Sequence, residues 1–267
     1  MSRLVLKSPA EIEIMHQANM ILRRTLADLR TRIVPGTTTG EIDAFVEERI
    51  RGAGGEPAFK GYPHPSGGTA FPGTACVSVN DVIVHGVPSE NGKLDEGDIV
   101  SVDMGVLYKG YYGDSAETFA VGRIDEQSQE LLAATRESLQ RGIEAAVVGN
   151  RVSDIGHAVQ THVEARGFSV VREFVGHGIG ASLHEDPQVP NFGGPGRRER
   201  LLAGMVLAIE PMVNIGSPDV LLSADDGWTA RTRDGSRSAH FEVCVAITED
   251  GPQVLGEPVA VDSAIPA

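Results

Sequence analysis

The chain has 267 residues, 41% of them apolar and 22% charged, with a formal net charge of −14. This length holds one large α/β domain or two small ones, and the composition is that of a globular protein in water. The acidic balance argues against non-specific nucleic-acid binding, which needs clustered Lys and Arg.

Two cysteines, Cys76 and Cys244, make no disulfide framework and point to a reducing compartment. The start MSRLVLKSPAEIEIMHQ lacks the apolar segment of a signal peptide, and no later run is long enough to span a bilayer. A cytoplasmic protein without membrane contact is expected.

Ser8-Pro9-Ala10-Glu11 is a capping box with Pro at the first helical position, so a helix should start there. Its apolar stripe, through Ile12, Met15, Leu22, Leu26 and Leu29, runs until Pro35-Gly36. Thr38-Thr39-Gly40-Glu41 repeats the capping pattern before a second amphipathic helix, closed by Gly52 to Gly55. From Pro57 to Gly73 the chain turns rich in Gly, Pro and Ser, with Tyr62, His64 and Phe71 embedded, which reads as a structured loop. A strand is expected over Ala75 to Asn80, and His85 follows the next apolar run.

The stretch Ile99 to Phe119, IVSVDMGVLYKGYYGDSAETF, has strand periodicity: Val100, Val102, Met104 and Val106 on one face, Ser101, Asp103 and Gly105 on the other. Tyr108-Lys109-Gly110-Tyr111 reads as a hairpin turn. A two-residue loop pairs Asp103 with Ala116 and Gly105 with Asp114. The two Asp then share a face left bare by Gly105, as diagonal neighbours that would repel without a cation between them. A one-residue change in loop length would separate them, and a solvated hairpin face would carry them equally well. The same register puts Glu117 on the apolar side.

Beyond the hairpin, a long helix is expected over Glu126 to Val148, then one capped by Ser153 and reaching Arg166, then a strand over Val170 to Phe174. The order helix–helix–strands thus occurs twice, which suggests two similar halves with a site at their junction. In VGHGIGASLHEDPQVP, glycines on both sides of His177 exclude a helix, and His184 follows nearby. MVLAIEPMV is an apolar strand ending in Glu210, a carboxylate that would be costly to bury without a partner. HFEVCVAIT alternates, with Glu242, Cys244 and Ala246 opposite Phe241, Val243, Val245 and Ile247. Four carboxylates and a histidine form a hard donor set that suits two divalent ions, with Glu210 as a candidate proton acceptor and His85 and His184 as candidate donors.

Taken together, VNDVIVHGVP, the hairpin, GHGIGASLHEDPQVPNF, LAIEPM and the final FE strand resemble a type I methionine aminopeptidase over nearly the whole chain. The resemblance implies an α+β pita-bread fold in one catalytic domain over residues 1–267: a curved antiparallel sheet, two pseudo-symmetric α/β halves, and helices on the outer face. It implies a dinuclear site of Asp103, Asp114, His177, Glu210 and Glu242, with Asp114 and Glu242 bridging two ions of Mn, Fe, Co or Zn. His85, His184 and Glu210 match the catalytic residues. Tyr62, Phe71, Cys76 and Trp228 match the methionine pocket.

The implied partners are the N-termini of nascent polypeptides, with ribosome association left open and a monomer expected. Two features depart from the family pattern. PHPSGGTA separates Tyr62 from Phe71, and Val243 stands where histidine is common. The 25 residues between His184 and Glu210 leave no room for the helical insert of type II enzymes. The alternatives are an Xaa-Pro-type peptidase of the same fold and a non-catalytic peptide-binding homologue.

Overall fold

The structure, a computed structural model, describes residues 4–256. Four helices, α1 (Pro9–Leu29), α2 (Thr39–Gly52), α3 (Glu126–Ala145) and α4 (Val152–Ala165), come as two pairs, each followed by a run of strands, among the described residues. The strands of the first half are β1 (Glu56–Pro57), β2 (Ala75–Val79), β3 (Val82–Val84), β4 (Ile99–Tyr108) and β5 (Tyr111–Ala120). Those after α4 are β6 (Ser169–Val170), β7 (Gly176–Gly178), β8 (Glu185–Val189), β9 (Val206–Ile209) and β10 (Met212–Asn214). The last are β11 (Val220–Leu222), β12 (Ala230–Thr232), β13 (Ser238–His240), β14 (Glu242–Thr248) and β15 (Gly251–Val254).

Both expected capping boxes form. The Ser8 amide donates to Glu11 at 2.7 Å and the Thr38 amide to Glu41 at 2.7 Å, while each hydroxyl accepts the N3 amide in return. The start of α4 differs from expectation. Asp154 reaches back to accept the Arg151 amide at 2.7 Å, and the Ser153 hydroxyl instead donates to the Arg197 carbonyl at 2.7 Å. Ser153 is therefore inside the helix and ties it to the following loop. The α3 helix stops at Ala145 rather than Val148, because the Asn150 side-chain amide takes the Ala145 carbonyl at 2.9 Å. The strand expected through Phe174 ends at Val170, after which the chain turns away and carries Phe174 to the cavity described below.

A nine-stranded sheet organises the molecule in the order β1-β4-β5-β14-β9-β7-β8, with β2 on β4 and β15 on β14. Its pairings are antiparallel. One half of its outer face is covered by α1 and α2, where Leu22, Leu26, Ile42 and Val46 pack on Val100, Val102, Met104 and Val106. The other half is covered by α3 and α4, where Leu131, Ile155 and Val159 pack on Leu207, Ile209, Val243 and Val245. Each buried side chain of this kind is worth roughly 1.5–3 kcal/mol, so the helices commit this face to the core and leave the opposite face for polar work. Glu117, on the helix side, is answered there: its carboxylate takes the Arg30 guanidinium at 2.5 Å and lies 3.8 Å from that of Arg136.

Candidate metal centre and active site

The hairpin register is the two-residue-loop register. Tyr108 pairs with Tyr111, Asp103 with Ala116 and Gly105 with Asp114, and Lys109 and Gly110 both take positive φ, 51° and 85°. The neighbouring strands extend two rows across the sheet. In the first, Asp103 and Glu242 flank Ala116 from opposite sides, and Glu210 directly follows β9, whose Ile209 pairs with Val243. In the second, Gly105 pairs with Asp114, Cys244 with Ala208, and Ala208 with His177. Directly paired residues share a face, so five donors from five strand segments converge on one patch. Ala116 and Ala208 are small enough to keep its floor open.

Gly105 has a different reason from the one expected. A Cβ there would lie 2.6 Å from the Phe59 ring, so the glycine makes room for an aromatic wall rather than for a cation. At β7 a Cβ on Gly176 would run into the Ala208 carbonyl, and one on Gly178 into the Asp186 carbonyl. Only glycines allow the backbone to press close enough to place His177 in the second row.

Charge crowding follows from this geometry. Burial pushes Asp103 up to about 7. Burial, then repulsion from Asp103 and Glu210, pushes Asp114 well above the usual carboxylate range. Glu210 and Glu242 are raised in the same way, each first by burial. Burial, with His184 second, lowers His177 and His85 each to about 4, and burial lowers His184. All three imidazoles are therefore neutral near pH 7.

Their tautomers matter. His177 Nδ1 lies 2.8 Å from the Gly178 carbonyl, which can only accept, so Nδ1 carries the hydrogen. The lone pair is then on Nε2, 3.8 Å from Asp114 and 3.6 Å from Glu210. His184 Nδ1 instead meets the Tyr62 hydroxyl at 2.8 Å. His85 sits just after β3 at φ 58°, a left-handed backbone uncommon outside glycine, and packs edge-on against Phe174 at 5.2 Å.

The patch floors a cavity of about 320 Å³. Its lining includes all eleven residues singled out in the sequence: Tyr62, Phe71, Cys76, His85, Asp103, Asp114, His177, His184, Glu210, Trp228 and Glu242. Phe71, Cys76 and Trp228 form one apolar cluster, with Phe71 and Trp228 edge-to-face at 5.3 Å.

Sequence reasoning missed Phe59, Phe174 and His240, which also line the cavity. His240 Nε2 is buried without a hydrogen-bond partner, 3.9 Å from Glu210, and burial lowers the imidazole to about 3. The alternation that placed Glu242 puts His240 on the same face two residues earlier. That signal was present.

Comparison with known proteins gives the chain a family. Residues 13–249 match metallopeptidase family M24. The chain belongs to this family. A methionine aminopeptidase of Clostridium perfringens is 51% identical over 252 residues, 94% of this chain and 98% of that protein. The crystal structure of a Thermotoga maritima methionine aminopeptidase superposes with a TM-score of 0.91 at 46% identity, covering 96% of this chain and 100% of that one. A prolidase from Pyrococcus furiosus gives 0.76 at 25% identity, covering 96% of this chain and 66% of that one. The curved antiparallel sheet with outer helices is the pita-bread fold that these structures share.

As an M24 metallopeptidase the protein is a hydrolase that depends on divalent metal, and the residues present fit one. Asp114, His177 and Glu242 each offer a ligand atom, all within 4.8 Å of one another. Asp103 Oδ1 and Asp114 Oδ1 are buried without a hydrogen-bond partner, as donors reserved for a cation would be.

Removing metal from an M24 site of this kind should have a pH signature. From about pH 6.5 upward the buried histidines are neutral when folded and lose their last protons when unfolded, an opposing slope that has gone by about pH 7.5. The carboxylates bind protons more tightly when folded, because their folded values are raised. Their stabilising contribution is full below the ordinary value near 4 and is lost as pH rises through the raised values, about 7 for Asp103, with Asp114, Glu210 and Glu242 also held well above the usual carboxylate range. Chelator-treated protein should therefore lose several degrees of Tm between about pH 6.5 and 8.5, and saturating divalent ion should flatten that slope. Calorimetry at both ends of the range measures it. A metal-free Tm that rises with pH would contradict the carboxylate cluster.

Proposed function

We propose that the chain removes the N-terminal methionine from nascent proteins and peptides, preferring a small second residue. The observation that carries this reading is the five-donor patch lying beside the apolar Phe71–Cys76–Trp228 wall in one cavity. An unbranched thioether suits such a soft, flat-sided pocket. Asp103, Asp114, His177, Glu210 and Glu242 would hold two divalent ions of Mn, Fe, Co or Zn. Bound metal supplies Lewis acidity that makes water a nucleophile at neutral pH and polarises the scissile carbonyl.

The chain's own residues do the rest. Glu210 takes the attacking water's proton on a carboxylate oxygen and returns it to the leaving amine. The Tyr62 hydroxyl lies 2.8 Å from His184 Nδ1, and as the donor there it leaves His184 an Nε2–H for the developing oxyanion. His85, kept neutral by burial, donates to the substrate backbone. Tyr62 thus serves the chemistry as well as the pocket. We place this activity in a single, monomeric catalytic domain in the cytoplasm, acting on chains as they leave the ribosome. Among the described residues no helix is long and apolar enough to cross a membrane.

The test is chelation, reloading with each metal in turn, and assay on Met-Ala-Ser, Leu-Ala-Ser and Ala-Pro. Met-Ala-Ser should be cleaved, with kcat/KM about tenfold or more above Leu-Ala-Ser, and Ala-Pro should be left intact. Equal rates on the Met and Leu peptides would sink the pocket assignment. Preference for Ala-Pro would favour the Xaa-Pro reading.

A further inference from the structure

The segment 63–70 that separates the two pocket aromatics leaves and returns at one point. The Phe71 amide donates to the Tyr62 carbonyl at 2.9 Å, and the Gly61 amide to the Phe71 carbonyl at 2.8 Å. Between these ends the segment closes on the turn that carries Trp228. His64 Nδ1 accepts the Ser66 amide at 3.1 Å, so its hydrogen is on Nε2, which donates to the Gly227 carbonyl at 3.0 Å. The same ring packs edge-to-face on Trp228, with centroids 4.9 Å apart. From the far end of the segment, the Thr69 carbonyl accepts the Trp228 indole N–H at 2.8 Å. A passive surface loop would not spend two hydrogen bonds and a ring contact on one tryptophan and its turn.

Trp228 stands between two spaces. One is the cavity of the carboxylates. The other is a groove of about 400 Å³ that shares Pro65, His85, Phe174 and Trp228 with it. The groove's near wall is His64, Pro65 and Ser66, and its far wall is Val220 and Leu222. Leu222 is 60% exposed and Leu221 51%, so β11 presents apolar side chains to open space next to the site. The groove adjoins the cavity in which the first peptide bond would lie, sharing four of its lining residues, and the occupant that reaches it from that bond is the rest of the same polypeptide.

We infer that residues 63–70 form a strap that fixes Trp228 as the partition between the methionine pocket and a groove for the third and later residues of the substrate. His64 is the positioning residue. The groove takes an extended peptide through apolar contact with Val220 and Leu222. This deepens the function proposed above and rests on it.

Trp228 is the only tryptophan in the chain, so its emission reports the strap without any reference to turnover. His64→Ala in the metal-loaded enzyme should shift that emission to the red by several nanometres. It should also lower kcat/KM on Met-Ala-Ser by about fivefold, mostly through KM, because the pocket wall is loosened rather than the chemistry. His64→Gln, which keeps an N–H donor for Gly227, should recover part of both effects.

The groove has its own variant, Leu222→Asp, at a position exposed enough to leave folding intact. It should lower the ratio of kcat/KM on Met-Ala-Ser-Leu-Val-Ser to that on Met-Ala-Ser by about tenfold, the order expected for losing one buried aliphatic contact. Unchanged emission and KM in His64→Ala would overturn the strap, and an unchanged ratio in Leu222→Asp would overturn the groove. If wild-type protein cleaved no Met-peptide, the proposed function and the groove would fall together. The His64→Ala emission would still decide whether Trp228 is held by the strap.

Discussion

Asp114→Ala is expected to abolish measurable peptide cleavage and to empty the site of metal. Asp114 belongs to the group of three whose ligand atoms lie within 4.8 Å of one another, and it sits between His177 on one side and Asp103 on its own hairpin. No other side chain can take its place, because its neighbours in the row are Gly105 and Cys244, the latter donating to the Asp114 carbonyl at 3.3 Å. Losing several kcal/mol of charge stabilisation corresponds to about 10³-fold or more in rate.

The variant also has a signature opposite to ordinary damage. It removes one of four crowded carboxylates, so the metal-free protein should be no less stable than metal-free wild type near pH 8, and its pH slope should be shallower. Metal analysis, steady-state kinetics and a melt at pH 8 report the three effects. Full metal stoichiometry with full activity would remove Asp114 from the site.

The second large effect separates the two histidines of the glycine-rich loop, whose rings are only 4.4 Å apart. The hydrogen bond from His177 to the Gly178 carbonyl turns its lone pair toward Asp114 and Glu210, so His177→Ala should weaken metal binding first and activity as a consequence. His184 is held by Tyr62 and faces the cavity, so His184→Ala should lower kcat by about 10²-fold with metal content near wild type. Tyr62→Phe frees the His184 tautomer and should produce a smaller loss of the same kind. Excess metal in the assay gives a further discriminator: it should partly restore His177→Ala and leave His184→Ala unchanged. Reversed behaviour would mean that the roles have been exchanged.

Much of this was legible in the chain because it is written at short range. Capping boxes, the period-two alternation of β4, β5 and β14, and the Lys109-Gly110 turn depend on neighbours a few residues apart. They put Asp103 and Asp114 on one face if the loop has two residues, and Glu242 opposite its core stripe; the structure has that loop. What short range could not supply is which strands lie side by side. That Glu242 and Asp103 flank the same alanine follows from a β5–β14 pairing across more than a hundred residues, selected by the apolar surface that α3 and α4 cover.

The errors have the same origin. Ser153 has the chemistry of a cap, but Asp154 and a distant carbonyl at Arg197 compete for the position. Gly105 looked like space for a cation because Phe59 is remote in sequence. Glu117 looked misplaced because its partner Arg30 lies on another element. The loop at 63–70 is largely exposed as its composition suggests, but its contacts with the Trp228 turn span some 160 residues and left no local trace. The sequence alone determined the donors, the elements that carry them and the faces they occupy, since side-chain periodicity is a local property of the backbone. The tertiary structure alone decided which donors meet, how His177 turns its lone pair toward them and what walls the cavity, since those depend on contacts that exist only once distant strands and loops are packed together.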